Sequence, residues 1–307
     1  MTARMEAVFI IAALVAARAE GASNSRTAKL GLDTVQIEQL TGAKGKVDEK
    51  EGVFKVSVPR TDLQVTTAGV RVTPPMGLTS WAAFEGSSQH TTTVMGDLVL
   101  EEDQVNPVMS VALDSGLAVT ALHNHFLWDS PRVMFMHIGG MGEQKALASA
   151  VGKVFAKIKE TSGGRGETPK SQIDPSQTSL DGSKIESILG VKGKLEDGVY
   201  KATIGRTTRM HGMAAGNAMG VNTWAAFAGS DTEAVVDGDF AMLESELQPV
   251  LKALRGARIN IVAIHQHMTG EQPRILFLHY WGVGATQDLA RGLRAALDRT
   301  ATRVGSR

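Results

Sequence analysis

Residues 123–142, HNHFLWDSPRVMFMHIGGMG, return without a gap as residues 265–284, HQHMTGEQPRILFLHYWGVG. Eight of the 20 aligned positions are identical, where unrelated segments of ordinary composition share about one or two. The chain is therefore one unit written twice, and its fold is the fold of that unit. Outward from this stretch, Trp81-Ala82-Ala83-Phe84 returns as Trp224-Ala225-Ala226-Phe227 and Gly96-Asp97 as Gly238-Asp239. Gly52-Val53-Phe54-Lys55-Val56 returns as Gly198-Val199-Tyr200-Lys201-Ala202, and Leu32-Asp33 as Leu180-Asp181. Repeat 1 spans residues 28–160 and repeat 2 spans 180–303. Between them, residues 161–179 are rich in Gly, Ser, Thr and Pro and read as a flexible linker.

Within each unit the pattern predicts a short opening helix capped by Asp33 or Asp181. Strands follow near residues 54–58 and 91–100, then a helix over 101–113 with an acidic first turn. Strands over 117–127 and 132–139, joined through Trp128-Asp129-Ser130-Pro131, precede a closing helix over 143–159, repeated at 288–302. Helices mixed with hairpin-linked strands imply an α+β fold with a mainly antiparallel sheet in each of two tandem homologous repeats.

Lys plus Arg number 32, as do Asp plus Glu, so the chain carries no net charge and a nucleic-acid partner is not expected. It has no cysteine, which excludes thiolate ligands, disulfides, a cysteine nucleophile and lipid attachment at cysteine. Residues 7–17, AVFIIAALVAA, form an apolar run preceded by Arg4 and followed by Ala17-Arg18-Ala19, a small-x-small pattern. The run is shorter than the roughly 20 residues that a membrane-spanning helix needs. Although Glu6 departs from the expected positive charge, residues 1–19 read as a cleaved signal peptide ahead of an uncleaved anchor or a buried helix, giving a periplasmic or secreted protein with no stable membrane anchor after cleavage.

Of the eight histidines, six form a repeated pattern, His-x-His, eleven residues and a third His. They are His123, His125 and His137 in the first copy and His265, His267 and His279 in the second. Side chains two apart on a strand share a face. With the hairpin centred on Pro131, position 137 lies opposite 125, and all three imidazoles project from one side. Three nitrogen ligands with the rest of the shell open describe a catalytic zinc site, ahead of copper or iron. Copper would favour thioether ligands, and Met136 alternates away from His137. A His-lined pocket without metal is the alternative. A one-residue slip of register would send His137 to the other face.

Other repeated residues carry weaker signals. Arg132 and Arg274 follow a proline and can clamp an anion, although alternation sets Arg132 on the face away from His137, as a strand-edge charge. Asp97 and Asp239 can be a fourth ligand, a partner for a His N–H, or turn residues after glycine, the simplest of the three. Glu102 and Glu244 are general-base candidates or merely an exposed acidic turn. Trp81 and Trp224 read as core aromatics. His90 and His211 have no counterparts. No phosphate loop or nucleophile elbow occurs, so nucleotide binding and Ser–His–Asp hydrolysis have no support.

The segments Val58-Pro59-Arg60-Thr61-Asp62-Leu63, Ser80-Trp81-Ala82-Ala83-Phe84, Val94-Met95-Gly96-Asp97-Leu98-Val99-Leu100 and Ala121-Leu122-His123-Asn124-His125-Phe126 together resemble the LppY/LpqO-type bacterial domain of unknown function. Its founding members are mycobacterial envelope lipoproteins. The resemblance covers both repeats but implies no activity, and the missing lipidation cysteine means that it implies no anchor either. More distantly, the duplicated three-His pattern is similar to the zinc site of acetolactate decarboxylase and its relatives, a fold group that includes a zinc-dependent ester hydrolase and the PPC domain. That likeness implies only the ligand role for the six histidines. The decarboxylase's catalytic Glu and Arg cannot be matched here, and shared fold does not establish shared chemistry.

The sequence thus leads to an exported protein with a three-His metal site per repeat, acting as a metal-dependent lyase or hydrolase on a small oxygen-rich substrate. The rival reading is a non-catalytic envelope protein that binds a metal or small ligand. The first copy is the favoured site, because the second replaces Trp128 with Gly270 and loses neighbouring apolar residues.

Overall fold

A computed structural model describes residues 31–87, 91–166 and 168–301. The expected signal peptide and His90 lie outside the described residues. The first copy runs α1 (Thr34–Thr41), β1 (Gly45–Asp48), β2 (Val53–Pro59), β3 (Thr79–Gly86), β4 (Thr92–Glu101), α2 (Val105–Asp114), β5 (Ala118–His123), β6 (Val133–Gly142) and α3 (Gln144–Thr161). The second repeats that order as α4 (Gly182–Leu189), β7 (Gly193–Glu196), β8 (Val199–Gly205), β9 (Asn222–Gly229), β10 (Ala234–Leu243), α5 (Leu247–Gly256), β11 (Asn260–His265), β12 (Ile275–Gly284) and α6 (Thr286–Leu297). The opening helices are capped as the sequence predicts. The Asp33 carboxylate accepts from the Gln36 N–H at 2.9 Å and Asp181 from Ser183 at 3.0 Å. Gly42 and Gly190 end the same helices in the left-handed conformation, at φ 68° and 71°.

These twelve strands form one antiparallel sheet, in the order β1-β2-β3-β4-β6-β5-β11-β12-β10-β9-β8-β7, and among the described residues shorter strands make two further small sheets. The class is α+β. The two copies join at the centre through one residue pair, Leu122 opposite Ile264. These are equivalent positions in the two copies, so the pair marks a pseudo-two-fold axis. Beside it, two carboxamides lock the copies together. Asn106 of α2 accepts from the Ile261 N–H at 2.8 Å and donates to the Ile261 carbonyl at 3.1 Å. Gln248 of α5 does the same for Val119, at 3.0 and 2.8 Å. Val119 and Ile261 adjoin the bulges that interrupt β5 and β11, where the splayed strands would otherwise leave backbone groups unpaired.

Strand alternation sorts the residues by face. Leu98, Leu100, Leu122 and Ile138, with Phe240, Ile264 and Leu278, pack against the helices in one core that runs through both copies. The opposite face carries two small caps. Val99, Val133 and Phe135 pack under Leu63, Val65 and Leu78, while Ala241, Ile275 and Phe277 pack under Ala215 and Val221. An arginine ties each cap to its sheet, buried in the first copy and partly buried in the second. Arg60 pairs with Asp62 at 2.9 Å and binds the Val99 carbonyl and the Gln104 side chain. Arg206 pairs with Glu246 at 2.7 Å and binds the Ala241 carbonyl.

The structure departs from the sequence reading in several places. Helix α2 begins at Val105 instead of 101, because residues 101–104 form a turn in which the Gln104 side chain accepts from the Glu101 N–H at 3.0 Å. Strands β1 and β3 are not apparent in the sequence, and their counterparts β7 and β9 share that silence. The segment 161–179 is hydrogen-bonded near both ends, Gly166 N–H to Asp103 at 3.0 Å and Ser179 N–H to the Gly229 carbonyl at 2.8 Å.

A continuous sheet and a shared core predict one cooperative unfolding transition by calorimetry; two resolved transitions would contradict the fused architecture. Gln248→Ala strands the Val119 backbone groups and should cost about 1–3 kcal/mol, lowering the melting temperature by several degrees.

Candidate metal centre

The site builds up from β10, whose glycine and aspartate face opposite ways. Gly238 points at the helix layer, where a Cβ would meet the Tyr280 hydroxyl at 2.1 Å and the Trp224 carbonyl at 2.3 Å. Tyr280 uses that space to donate to Trp224 at 2.9 Å. Asp239, the next residue, points to the other face, at 2% exposure, directly opposite His279 on one side and Trp224 on the other. Asp97 stands equivalently between His137 and Trp81. Both aspartates are therefore buried mid-strand residues, and the turn reading is corrected. The glycine preceding each makes room for packing. Trp81 and Trp224 are corrected too: they are half-buried on the site face, each under a lysine, Lys55 at 3.8 Å and Lys201 at 4.2 Å from the ring centre.

The histidines arrive from a register different from the one expected. His137 lies opposite Ala121, not His125, and His279 lies opposite Ala263. The pairing partner is displaced by four residues, an even number, so the face is preserved and the imidazoles still gather. His125 and His267 lie past the ends of β5 and β11, in the connecting loop. Each is held by stacking on a strand phenylalanine. His125 lies 3.4 Å from Phe135 at 7°, and His267 lies 3.5 Å from Phe277 at 10°. These phenylalanines, identical in both copies, escaped the sequence reading. Their repetition at the residue two before the third histidine was the available signal.

In the second copy, His265 Nε2 and His267 Nε2 are 3.1 Å apart. Asp239 Oδ2 lies 3.2 Å from the latter and 3.9 Å from the former. Two ligands on a tetrahedral ion at 2.0–2.1 Å stand about 3.3 Å apart. Among the described residues, Asp239, His265 and His267 are the set of three whose donor atoms all lie within 4.8 Å of one another, and the set can hold a metal ion. His279 stands beside this trio without joining its close-set donors, its ring stacked 4.6 Å from that of His265. Its Nδ1 meets the Gly238 carbonyl at 3.2 Å; donating there leaves Nε2 as the bare nitrogen, the usual arrangement of a ligating histidine.

In the first copy the ring centres of His123 lie 5.2 Å from His125 and 5.1 Å from His137. The rings assemble, but their donor atoms are not drawn together as in the second copy, so the preference for the first copy is reversed. Of the apolar residues that suggested it, Phe126 sets its edge against His125 at 6.3 Å, but Leu127 and Trp128 are 70% and 75% exposed.

Electrostatics match a site prepared for a cation. Asp239 Oδ1 and Asp97 Oδ1 are buried without a hydrogen-bond partner, a costly state unless something positive offsets it. Burial raises the Asp239 carboxyl above the usual carboxylate range, against the pull of His279 and His267. Burial, then repulsion from His279 and His267, pushes His265 down to about 4. Burial also lowers His125, against the attraction of Asp97. Both imidazoles are thus neutral at pH 7, as metal binding requires. Glu102 stays an exposed residue, 3.8 Å from Arg132. Arg132 lines a cleft with His123 and also with Leu122, Met134 and Ile264 of the helix-side core.

Comparison with known proteins adds a family. The family described as Domain of Unknown Function (DUF1259) matches residues 35–157 and again 183–299. The chain belongs to this family. Each DUF1259 match covers one unit of the duplication and contains one complete His cluster. No curated protein matches the chain. Among solved structures, a trimeric bacterial microcompartment shell protein, PduB, matches at 11% identity over 82% of this chain and 90% of that one, with a TM-score of 0.19. A superposition that poor carries no argument.

Because His265 sits well below an ordinary histidine, its ring should remain neutral by nitrogen NMR at about pH 5.5, where a free imidazole is about 90% protonated. As pH falls below about 6.5 the unfolded chain takes up a proton that the folded one refuses, so the metal-free protein should lose stability on acidification. The raised Asp239 acts in the opposite sense at lower pH, leaving the decline steepest between about pH 6.5 and 5.

Proposed function

We propose that this is an exported zinc protein that acts as a metal-dependent lyase or hydrolase on a small oxygen-rich substrate. The second repeat holds one ion through His265, His267, His279 and Asp239; the first holds another through His123, His125, His137 and Asp97. The observation that carries this reading is the convergence of His265, His267 and the buried Asp239 carboxylate at ligand-to-ligand spacing. The donors are nitrogen and oxygen only. Met136 is buried in the core on the helix side, which supports zinc over copper. The likeness of the three-His pattern to the acetolactate decarboxylase site supports zinc over iron.

Catalysis is favoured over a closed structural site because His265 and His267 keep 28% and 33% of their side chains exposed, leaving one side of the cluster open. Bound zinc would supply a Lewis acid for a carbonyl or carboxylate oxygen, or acidify a bound water. The chain's own contribution is placement. The Gly238 carbonyl fixes the His279 ring, Phe277 fixes His267, and Asp239 balances the charge. Export rests on the apolar run of residues 7–17 and the small-x-small pattern after it. Among the described residues no helix is long and apolar enough to cross a membrane.

Protein purified without a polyhistidine tag should contain near-stoichiometric zinc by mass spectrometry. Asp239→Asn and His265→Ala should each lower its affinity by at least about tenfold. Metal content that is negligible in the parent chain, or unchanged in both variants, would remove the reading. Chelator-sensitive turnover of small keto acids or esters separates an enzyme from a binder.

A further inference from the structure

Strands β5 and β11 meet at the Leu122–Ile264 pair and then splay. The wedge between them opens a cleft of about 480 Å³, within the 300–1,000 Å³ range of small-molecule sites. Its wall contains one histidine from each cluster, His123 and His265. Asn106 of α2, Asn124, Arg132 and Met134 of the first repeat and Ile261 and Val262 of the second also line it. Arg132 is more than half exposed, and its one ionic contact is with Glu102 at 3.8 Å, itself on the cleft wall. A pair that long and that exposed contributes little. Among the described residues, the terminal nitrogens of this guanidinium have no partner.

We propose that one histidine of each cluster, His123 and His265, borders a single binding cleft that lies to one side of the pseudo-two-fold axis. The cleft takes one small carboxylate-bearing molecule, and Arg132 recognises the carboxylate. The inference deepens the metal reading and rests on it for the end of the ligand that meets the clusters; the Arg132 end stands apart from it. A guanidinium forms paired, charge-assisted hydrogen bonds to a carboxylate, and the weakly held Glu102 is displaced without loss of a strong contact. The volume suits one molecule. The duplication thus has a functional sense: each repeat supplies a histidine to the same cavity, and the first adds the anion-binding side chain.

The test is calorimetric titration of the full chain with malonate, with metal content measured in parallel. One malonate should bind per chain. Arg132→Ala should weaken it about 10- to 150-fold, the loss of a hydrogen-bonded charge, and Glu102→Gln should tighten it. Val262→Trp, at a half-exposed position that tolerates bulk, should fill the cleft and abolish binding. All three variants should keep the parent metal content. Two malonates per chain, or parent affinity in both Arg132→Ala and Val262→Trp, overturns the shared cleft while leaving the metal sites standing. A chain without metal still decides the matter: malonate binding lost in Arg132→Ala and Val262→Trp upholds the cleft and removes only the metal, whereas no binding overturns the cleft.

Discussion

A carboxylate in the middle of a strand, Asp97 at 8% and Asp239 at 2% exposure and each with one oxygen unpartnered, is the constraint around which each repeat is arranged. Burying such a charge costs several kcal/mol unless positive or polar groups answer it. In the second copy the answer comes from three imidazoles on three supports: His265 at the end of β11, His279 in β12 and His267 in the loop between them. The glycine before the aspartate is part of the same solution. It lets the sheet lie close over Tyr280 on the helix side while the carboxylate turns to the other face.

That demand also explains the shape of the sheet's second face. A sheet covered by helices on both sides would bury the imidazoles beyond reach of any substrate. Here the helices take one face, and the other has only two small caps, each tied down by an ion-paired arginine. The site lies beside a cap, sheltered enough to keep His265 neutral and open enough to admit a ligand. At the centre, where the copies meet by one residue pair, Asn106 and Gln248 satisfy the backbone that the splayed strands leave bare. The same splaying opens the cleft.

Much of this was legible in the sequence, and the failures have physical causes. The duplication, the capped opening helices, the closing helices and the six histidines follow from repeated strings and local periodicity. Strand β3 was silent because Ser80-Trp81-Ala82-Ala83-Phe84 mixes small and aromatic residues without clear alternation. Its identity depends on neighbours in β2 and β4. The hairpin register was wrong by four residues because loop length is not encoded in the strands, yet the even displacement kept the face, which period-two alternation protects. Gly-Asp reads locally as a turn; only the tertiary contact with Tyr280 shows why glycine is needed in a strand. The preference between copies follows Trp128 and its apolar neighbours, yet Leu127 and Trp128 are exposed to solvent.

The central claim is that imidazole nitrogens and one aspartate, and no sulfur, hold an ion in the second repeat. X-ray absorption at the metal edge of the purified full chain tests it most directly. The account predicts a nitrogen and oxygen shell at about 2.0–2.1 Å with the outer-shell scattering of two or three imidazole rings, lost on replacing His265 and His267. A shell of oxygen alone without imidazole scattering, or a spectrum unchanged by those replacements, would contradict it.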